Sequence, residues 1–135
     1  MNNIISINKR GYRASFAWLD DFAKVVSKRF KIKKEISVAL LSPEEIKQLN
    51  KIYRKKDKVT DVLSFNLDDQ KILGEIVICL AQAKKQALEK KTSLQSELKL
   101  LVTHGTLHLL GYDHEISDME AERQEKEEKL LLNKF

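Results

Sequence analysis

The stretch Gly74-Glu75-Ile76-Val77-Ile78-Cys79-Leu80 is apolar and rich in β-branched side chains, which predicts a buried strand near the middle of the fold. Its thiol, Cys79, is the only cysteine in the chain and is expected to pack in the core rather than to react. A single cysteine excludes both an intramolecular disulfide and a zinc site built from several cysteines.

Three more strands are predicted before this one. Ile4–Ile7 and Glu35–Leu41 are short β-branched segments. Asp61–Asn66 alternates apolar and polar residues, which indicates a strand with one exposed face. Residues 68–71 are polar and are expected to form the turn between this strand and the buried one.

Five helices are predicted between and after the strands. Apolar residues spaced by three and four predict the first over Tyr12–Phe30. Ser42, Pro43 and Glu45 form the capping signal of a second helix that ends near Tyr53. The other three are Ala81–Lys91, a helix capped by Thr92-Ser93 that runs until Gly111, and a charged helix from Ser117 to about Asn133.

The resulting order β, α, β, α, β, β, α, α, α predicts an α+β fold. We expect a single domain over residues 1–135, with a mixed sheet of about four strands packed by about five helices. The first two strands should be parallel and the last two should form a hairpin. A chain of 135 residues can bury a core without disulfide or metal staples, so a bound metal is available for chemistry.

The charge and hydropathy of the chain limit the functions that it can have. The chain has 25 Lys and Arg against 20 Asp and Glu, a net charge of +5, with basic clusters at 28–34 and 54–58. Such clusters suit a polyanionic partner, although a charge run is more often only a solvated face. No segment approaches the roughly 20 apolar residues of a membrane span. We therefore expect a cytoplasmic protein with no membrane partner.

All three histidines fall between His104 and His114. His104 and His108 are four residues apart on a predicted helix, so their rings project from one face, as two ligands of one metal require. Gly111 can end the helix with a positive φ and bring His114 to the same ion. Three imidazoles and one open position form the pattern of a catalytic zinc site, although nickel or another ion would also suit nitrogen donors.

The residue after the first histidine limits the chemistry. The spacing H-x-x-x-H-x-x-G-x-x-H is that of metzincin proteases, which carry a glutamate general base at the second position. Here that position is Gly105, so peptide hydrolysis by that mechanism is disfavoured. Asp113 and Glu115 flank the third histidine and are candidates to orient a ligand or accept a proton; Asp113 could equally be a turn residue.

The window from His104 to His114 resembles the signature of the YbeY family of bacterial rRNA-maturation endoribonucleases, H-G-x-L-H-L-x-G-Y-D-H. Two upstream blocks are also similar, one from Leu49 to Phe65 and one at 74–76. The resemblance implies a single-domain cytoplasmic enzyme that holds one zinc ion with His104, His108 and His114. It further implies that Arg54 is important for activity. The expected partners are single-stranded rRNA regions, the small ribosomal subunit and assembly factors.

The residue types suggest roles for this upstream block. Arg54 can grip a phosphate and stabilise transition-state charge, or it can simply compensate the helix dipole. Ser64 and Phe65 can line an RNA groove, Phe65 by stacking on a base, although a core position is the simpler reading of Phe65. Asp57, Thr60 and Asp61 suit the shaping of a loop at least as well as catalysis.

Three functions remain open from the sequence. The leading hypothesis is a metal-dependent endoribonuclease that prefers single strands, with Arg54 and Asp113 as candidate catalytic residues. The second is a ribosome-associated RNA-binding module with a structural metal, because no general base is evident. The third is a metal-dependent hydrolase of another substrate, against which Gly105 argues.

Overall fold

The computed structural model describes residues 4–67, 69–112 and 117–134. Within them lie four strands and five helices in the predicted order. The strands are β1 (Ile5–Asn8), β2 (Glu35–Leu41), β3 (Val62–Asn66) and β4 (Ile72–Cys79). The helices are α1 (Leu19–Phe30), α2 (Pro43–Arg54), α3 (Leu80–Lys90), α4 (Leu94–Leu109) and α5 (Asp118–Leu132).

The four strands form one mixed sheet in the order β1-β2-β4-β3. β1 is parallel to β2 and β2 is parallel to β4, with Val38 opposite Ile76. β3 and β4 form an antiparallel hairpin in which Leu63 lies opposite Val77. The predicted α+β class, the parallel first pair and the hairpin are all confirmed. β3 is the edge strand on the side where the candidate site lies.

The sheet is covered on both faces, as the apolar sequence of β4 requires. Ile76 and Ile78 of β4 belong to the larger core, together with side chains of α1, α3 and α4. Val77 and Cys79 point to the opposite face, where they pack with Ile46 of α2. Cys79 is fully buried, which confirms it as a core thiol.

The first helix is shorter than predicted, since α1 begins at Leu19 rather than at Tyr12. Phe16 carries the helical spacing upstream and is buried, as is Trp18, but a non-helical segment places both in the core. Their rings lie 5.6 Å apart, and Trp18 meets Phe22 of α1 edge to face. The apolar spacing upstream of α1 therefore reflects burial in the core and not helical structure.

The predicted starts of α2, α4 and α5 are confirmed by their caps. The Ser42 side chain accepts a hydrogen bond from the Glu45 amide, and the Glu45 carboxylate accepts one from the Ser42 amide. Ser93 and Ser117 cap α4 and α5 through side-chain oxygens. Among the described helices, none combines the length and apolar character of a membrane-spanning segment.

Helix α4 lies directly against the hairpin because two glycines occupy the contact. A Cβ on Gly105 of α4 would stand 2.9 Å from Cγ2 of Ile76, which is fully buried. A Cβ on Gly74 of β4 would stand 2.5 Å from Cδ2 of Leu109 and from the Phe65 carbonyl oxygen. The Asn66 side chain donates to the Leu109 carbonyl at 2.9 Å and fixes the end of α4 against β3.

Gly105→Ala is expected to destabilise the protein. Alanine would gain up to about 1 kcal/mol of helix propensity. Overpacking against Ile76 costs roughly 1–3 kcal/mol, so we expect a net loss of about 1 kcal/mol in the free energy of unfolding. Urea denaturation would measure it. Gln95→Ala, at an exposed position of the same helix, is the control and should leave stability equal or higher. A more stable Gly105→Ala variant would contradict the close packing.

Candidate functional site

Helix α4 presents two histidines on one face. The ring centroids of His104 and His108 are 4.7 Å apart, and both side chains are half-buried. They line a cleft together with Gly105 and the start of β3. The predicted placement of these two imidazoles one helical turn apart is confirmed.

Helix α4 ends in a tight turn directly after His108. Gly111 has a φ of 98°, and its amide donates to the His108 carbonyl at 3.0 Å. The Tyr112 amide donates to the Leu107 carbonyl, which completes a Schellman motif. The expected turn at Gly111 is thus confirmed. The predicted ligand His114 and the predicted catalytic residue Asp113 lie outside the described residues, as does Glu115, so their roles stay predictions.

A carboxylate from α5 orients His104. Nδ1 of His104 lies 2.6 Å from Oε1 of Glu128 and 3.1 Å from Nε2 of the buried Gln124, whose amide donates to the same Oε1 at 3.2 Å. The carboxylate favours the tautomer in which Nδ1 donates, and this places the lone pair of the imidazole on Nε2. Sequence reasoning missed Glu128, because the acidic last helix gave no specific signal.

The last helix is held in place by contacts to α1 and to the end of α4. Arg29 of α1 donates two hydrogen bonds to Glu127, at 3.0 and 2.7 Å. These bonds hold the pKa of the Glu127 carboxyl below its ordinary value. The guanidinium of Arg123 lies 4.2 Å from the centre of the Tyr112 ring. Glu128, the next residue after Glu127, is therefore presented to His104 from a fixed helix.

The donor set of the described residues suits a metal ion. Neutral imidazole nitrogens with a carboxylate partner on the other ring nitrogen are a common arrangement at zinc sites. In the part of the chain that the structure describes, no three His, Cys, Asp or Glu side chains converge as a complete ligand set. Two histidines of the three predicted ligands are thus placed together, and the third is His114.

A basic wall lines the same cleft as the two histidines. The cleft has a volume of about 250 Å³, and its lining includes Arg54 at the end of α2 and Lys56 and Lys58 in the loop that follows. These three cations are exposed. The cleft therefore combines imidazole ligands with cationic groups that attract and hold phosphate.

Buried Asn50 shapes the basic loop. Its carbonyl accepts from the Lys56 amide at 3.2 Å, and its side-chain amide donates to the Lys58 carbonyl at 3.0 Å. Lys55 adopts a positive φ of 57° between them. Asp57 of the same loop lies 4.0 Å from Lys47 of α2. The loop is thus pinned by one residue that sequence reasoning mentioned only as part of the family block.

Asp61 is tied into the fold through both carboxylate oxygens. Oδ1 accepts from the Val62 amide at 2.8 Å and from the Thr60 hydroxyl at 3.3 Å, and Oδ2 accepts from Gln86 at 3.2 Å. Gln86 also donates to Glu97, a nearly fully buried carboxylate that pairs with Lys90 at 3.0 Å. Asp61 lines the cleft. Its hydrogen bonds agree with the expected role of shaping the loop.

The two predicted RNA-contacting residues of β3 lie on opposite sides of the strand. Ser64 lines the histidine cleft. Phe65 is half-buried on the other face, where its ring centroid is 5.0 Å from that of Tyr53. Phe65 belongs to a second groove, and Ser64 and Arg54 line both.

The position that carries a glutamate in metzincin proteases has no room for one here. Gly105 is buried, and even a Cβ would press on Ile76. The site therefore offers imidazole and phosphate-binding cations without a protease-type base at that position, which fits phosphoryl chemistry better than peptide hydrolysis.

Comparisons with known proteins agree with this geometry. Residues 3–135 match the family model described as "Endoribonuclease YbeY". The chain is 47% identical over 105 residues to Endoribonuclease YbeY of Aquifex aeolicus, which spans 75% of this chain and 70% of that protein. It is 37% identical over 138 residues to the Staphylococcus epidermidis protein of the same name, spanning 88% and 87%.

A solved structure shares the fold. The solution structure of TM1509 from Thermotoga maritima superposes with a TM-score of 0.66 and 31% sequence identity. The match covers 96% of this chain and 87% of that one.

Glu128→Gln is expected to weaken metal binding, measured with zinc as the probe, by about ten- to one-hundred-fold, because the neutral amide holds the His104 tautomer less firmly. Competition against a chromogenic chelator would measure the affinity, and circular dichroism would show that the helices persist. Glu125→Gln, an exposed position of the same helix paired with Lys129 at 3.1 Å, is the matched control. Equal metal affinity in wild type and Glu128→Gln would show that Glu128 does not contribute to metal binding.

Proposed function

Because this chain belongs to the YbeY endoribonuclease family, we propose that it is a metal-dependent endoribonuclease that cleaves single-stranded RNA in the cleft between α2 and α4. The observation that carries the proposal is one cleft lined by both His104 and His108 and by Arg54, Lys56 and Lys58. Imidazoles can hold a metal and cations can hold a phosphodiester, so this one cleft would contain both parts of a phosphoryl-transfer site.

The biological setting that we propose is rRNA maturation and ribosome quality control in the cytoplasm. The partners would be single-stranded regions of rRNA, the small ribosomal subunit and its assembly factors. Support comes from the family and from the net charge of +5. A site that reads RNA mainly through phosphates would depend on such partners to choose the position that is cut.

The proposed metal ligands are His104, His108 and His114, with one ion per chain. Zinc suits three imidazoles, and nickel would suit them as well. A bound divalent ion would supply a Lewis acid for a phosphoryl oxygen. Glu128 would keep the His104 ring oriented through its Nδ1 hydrogen bond.

Arg54 would bind the phosphate and stabilise the negative charge that grows on its oxygens during cleavage. A guanidinium can donate two parallel hydrogen bonds to a phosphate, and Lys56 and Lys58 add attraction along the same wall. Asp113 remains the proposed proton acceptor. The nucleophile would be water or the 2′-hydroxyl of the RNA, and a 2′,3′-cyclic phosphate at the product end would identify the hydroxyl.

Two other functions carry less support. An RNA-binding module with a structural metal would explain why the described cleft offers no evident general base besides the hydrogen-bonded Asp61. A peptide hydrolase is disfavoured by the packing of Gly105 on Ile76.

Zinc content and RNA cleavage are expected to disappear together in His108→Ala. The substitution removes one imidazole, so the remaining donors would hold an ion too weakly to survive purification. Elemental mass spectrometry and cleavage of a single-stranded RNA should be measured on the same preparations. Gln95→Ala, on the exposed side of α4, is the control. Cleavage that persists after the metal is lost would overturn the metalloenzyme proposal.

Arg54→Ala is expected to lower kcat by about 10²–10³-fold, as removal of a donor to transition-state charge does elsewhere. RNA affinity should fall much less, because the lysines of the loop remain. Lys51→Ala, which removes an exposed cation one turn earlier on α2, is the control. Equal proportional losses of turnover and affinity would instead favour the binding module.

A further inference from the structure

A second groove runs along the opposite face of the edge strand β3. It has a volume of about 560 Å³ and lies between α2 and the hairpin. Most of its lining is apolar or aromatic, including Leu49, Tyr53, Phe65 and Val77. The histidine cleft, in contrast, is lined mainly by polar and basic residues.

Tyr53 is the unusual residue of this groove. The residue is 64% exposed, whereas tyrosines are on average intermediate in burial. The ring packs against Phe65, with centroids 5.0 Å apart and planes at 60°. Phe65 in turn is half-buried against the small core cluster under α2. Phe65 thus supports the Tyr53 ring, which stays exposed and available to stack on a flat partner.

The two grooves adjoin at Arg54 and Ser64, which line both. Arg54 directly follows Tyr53 in the last turn of α2. An RNA strand with a phosphate at Arg54 would then pass Ser64 at the edge of β3, and its neighbouring nucleotide would lie at Tyr53.

The charges of the second groove suit a base rather than another phosphate. Apart from Arg54 at the junction, its lining carries no cation among the described residues, and Glu75 adds a half-buried carboxylate. A carboxylate repels phosphate but accepts hydrogen bonds from the N–H groups of a base. Base stacking on an aromatic ring next to a basic backbone track is the common way proteins hold single strands.

We propose that Tyr53 is the stacking platform for the base next to the phosphate held by Arg54. The occupant of the groove is then single-stranded RNA, and Tyr53 is a substrate-binding residue outside the sites assigned above. The inference rests on the proposed function, since it takes RNA as the ligand of the neighbouring cleft.

The test is equilibrium binding of short oligouridylates made resistant to cleavage by 2′-O-methyl and phosphorothioate groups. Each carries one 2-aminopurine, moved along the strand position by position, whose fluorescence is quenched when it stacks. One position should be quenched by wild type and by Tyr53→Phe but not by Tyr53→Ala. Loss of one stacked base corresponds to an affinity about 5- to 150-fold weaker in Tyr53→Ala. An abasic nucleotide at that position should weaken binding to wild type but not to Tyr53→Ala.

Ile52→Ala is the matched control, because Ile52 is a 65% exposed apolar neighbour on α2 that does not line the groove. Its affinity should stay within about twofold of wild type. The slope of log binding constant against log salt concentration should become shallower in Arg54→Ala by the amount expected for about one phosphate contact. Tyr53→Ala should leave that slope unchanged.

The outcomes separate this inference from the proposed function. Suppose that Arg54→Ala weakens RNA binding, while Tyr53→Ala quenches the 2-aminopurine and binds RNA as wild type does. The stacking role of Tyr53 is then wrong, but RNA binding in the histidine cleft is supported. A protein segment would then be the better occupant of the second groove. Equal losses in Ile52→Ala and Tyr53→Ala would also overturn the stacking role. If wild type binds none of these oligonucleotides, both the proposed function and the inference fail.

Discussion

The close contact of α4 with the β3–β4 hairpin is the constraint on which the site depends. It exists because Gly105 and Gly74 carry no side chain at the two points where helix and sheet meet. The contact places His104 and His108 beside the edge strand rather than above the middle of the sheet. It also removes the space in which a glutamate could stand next to the first histidine, so structural packing and reaction chemistry are decided by the same residue.

The site is assembled from segments that are distant in sequence and individually simple. The end of α2 and the loop pinned by Asn50 supply cations. Helix α4 supplies imidazoles, and α5 supplies the carboxylate of Glu128 that orients one of them. Helix α5 is fixed by contacts outside the cleft, such as the pair of Arg29 with Glu127. Cations and imidazoles from separate segments therefore line one cleft.

Much of the fold could be predicted because its signals are local. The β-branched residues of Glu35–Leu41 and the cap at Ser42 predicted β2 and the start of α2 to the residue. The start of α1 could not be predicted, because Phe16 is buried from a non-helical segment at a helical spacing. Glu128 and the Tyr53 ring were missed for another reason: their importance comes from contacts between elements, and sequence spacing carries no trace of those. His114 stays a prediction because it lies outside the described residues.

The edge strand has a consequence for the behaviour of the protein in solution. Within the described sheet β3 pairs only with β4, so its outer edge offers backbone groups to which the edge of a second copy could add. A helix packed over the outer edge of β3 would protect it from such pairing, but it would also close both grooves. The strand is only five residues long, and the lysines of the adjoining loop repel a second copy carrying the same charges. Electrostatic repulsion between these lysines would thus oppose pairing of two edge strands, and salt, which screens the charges, would weaken that protection.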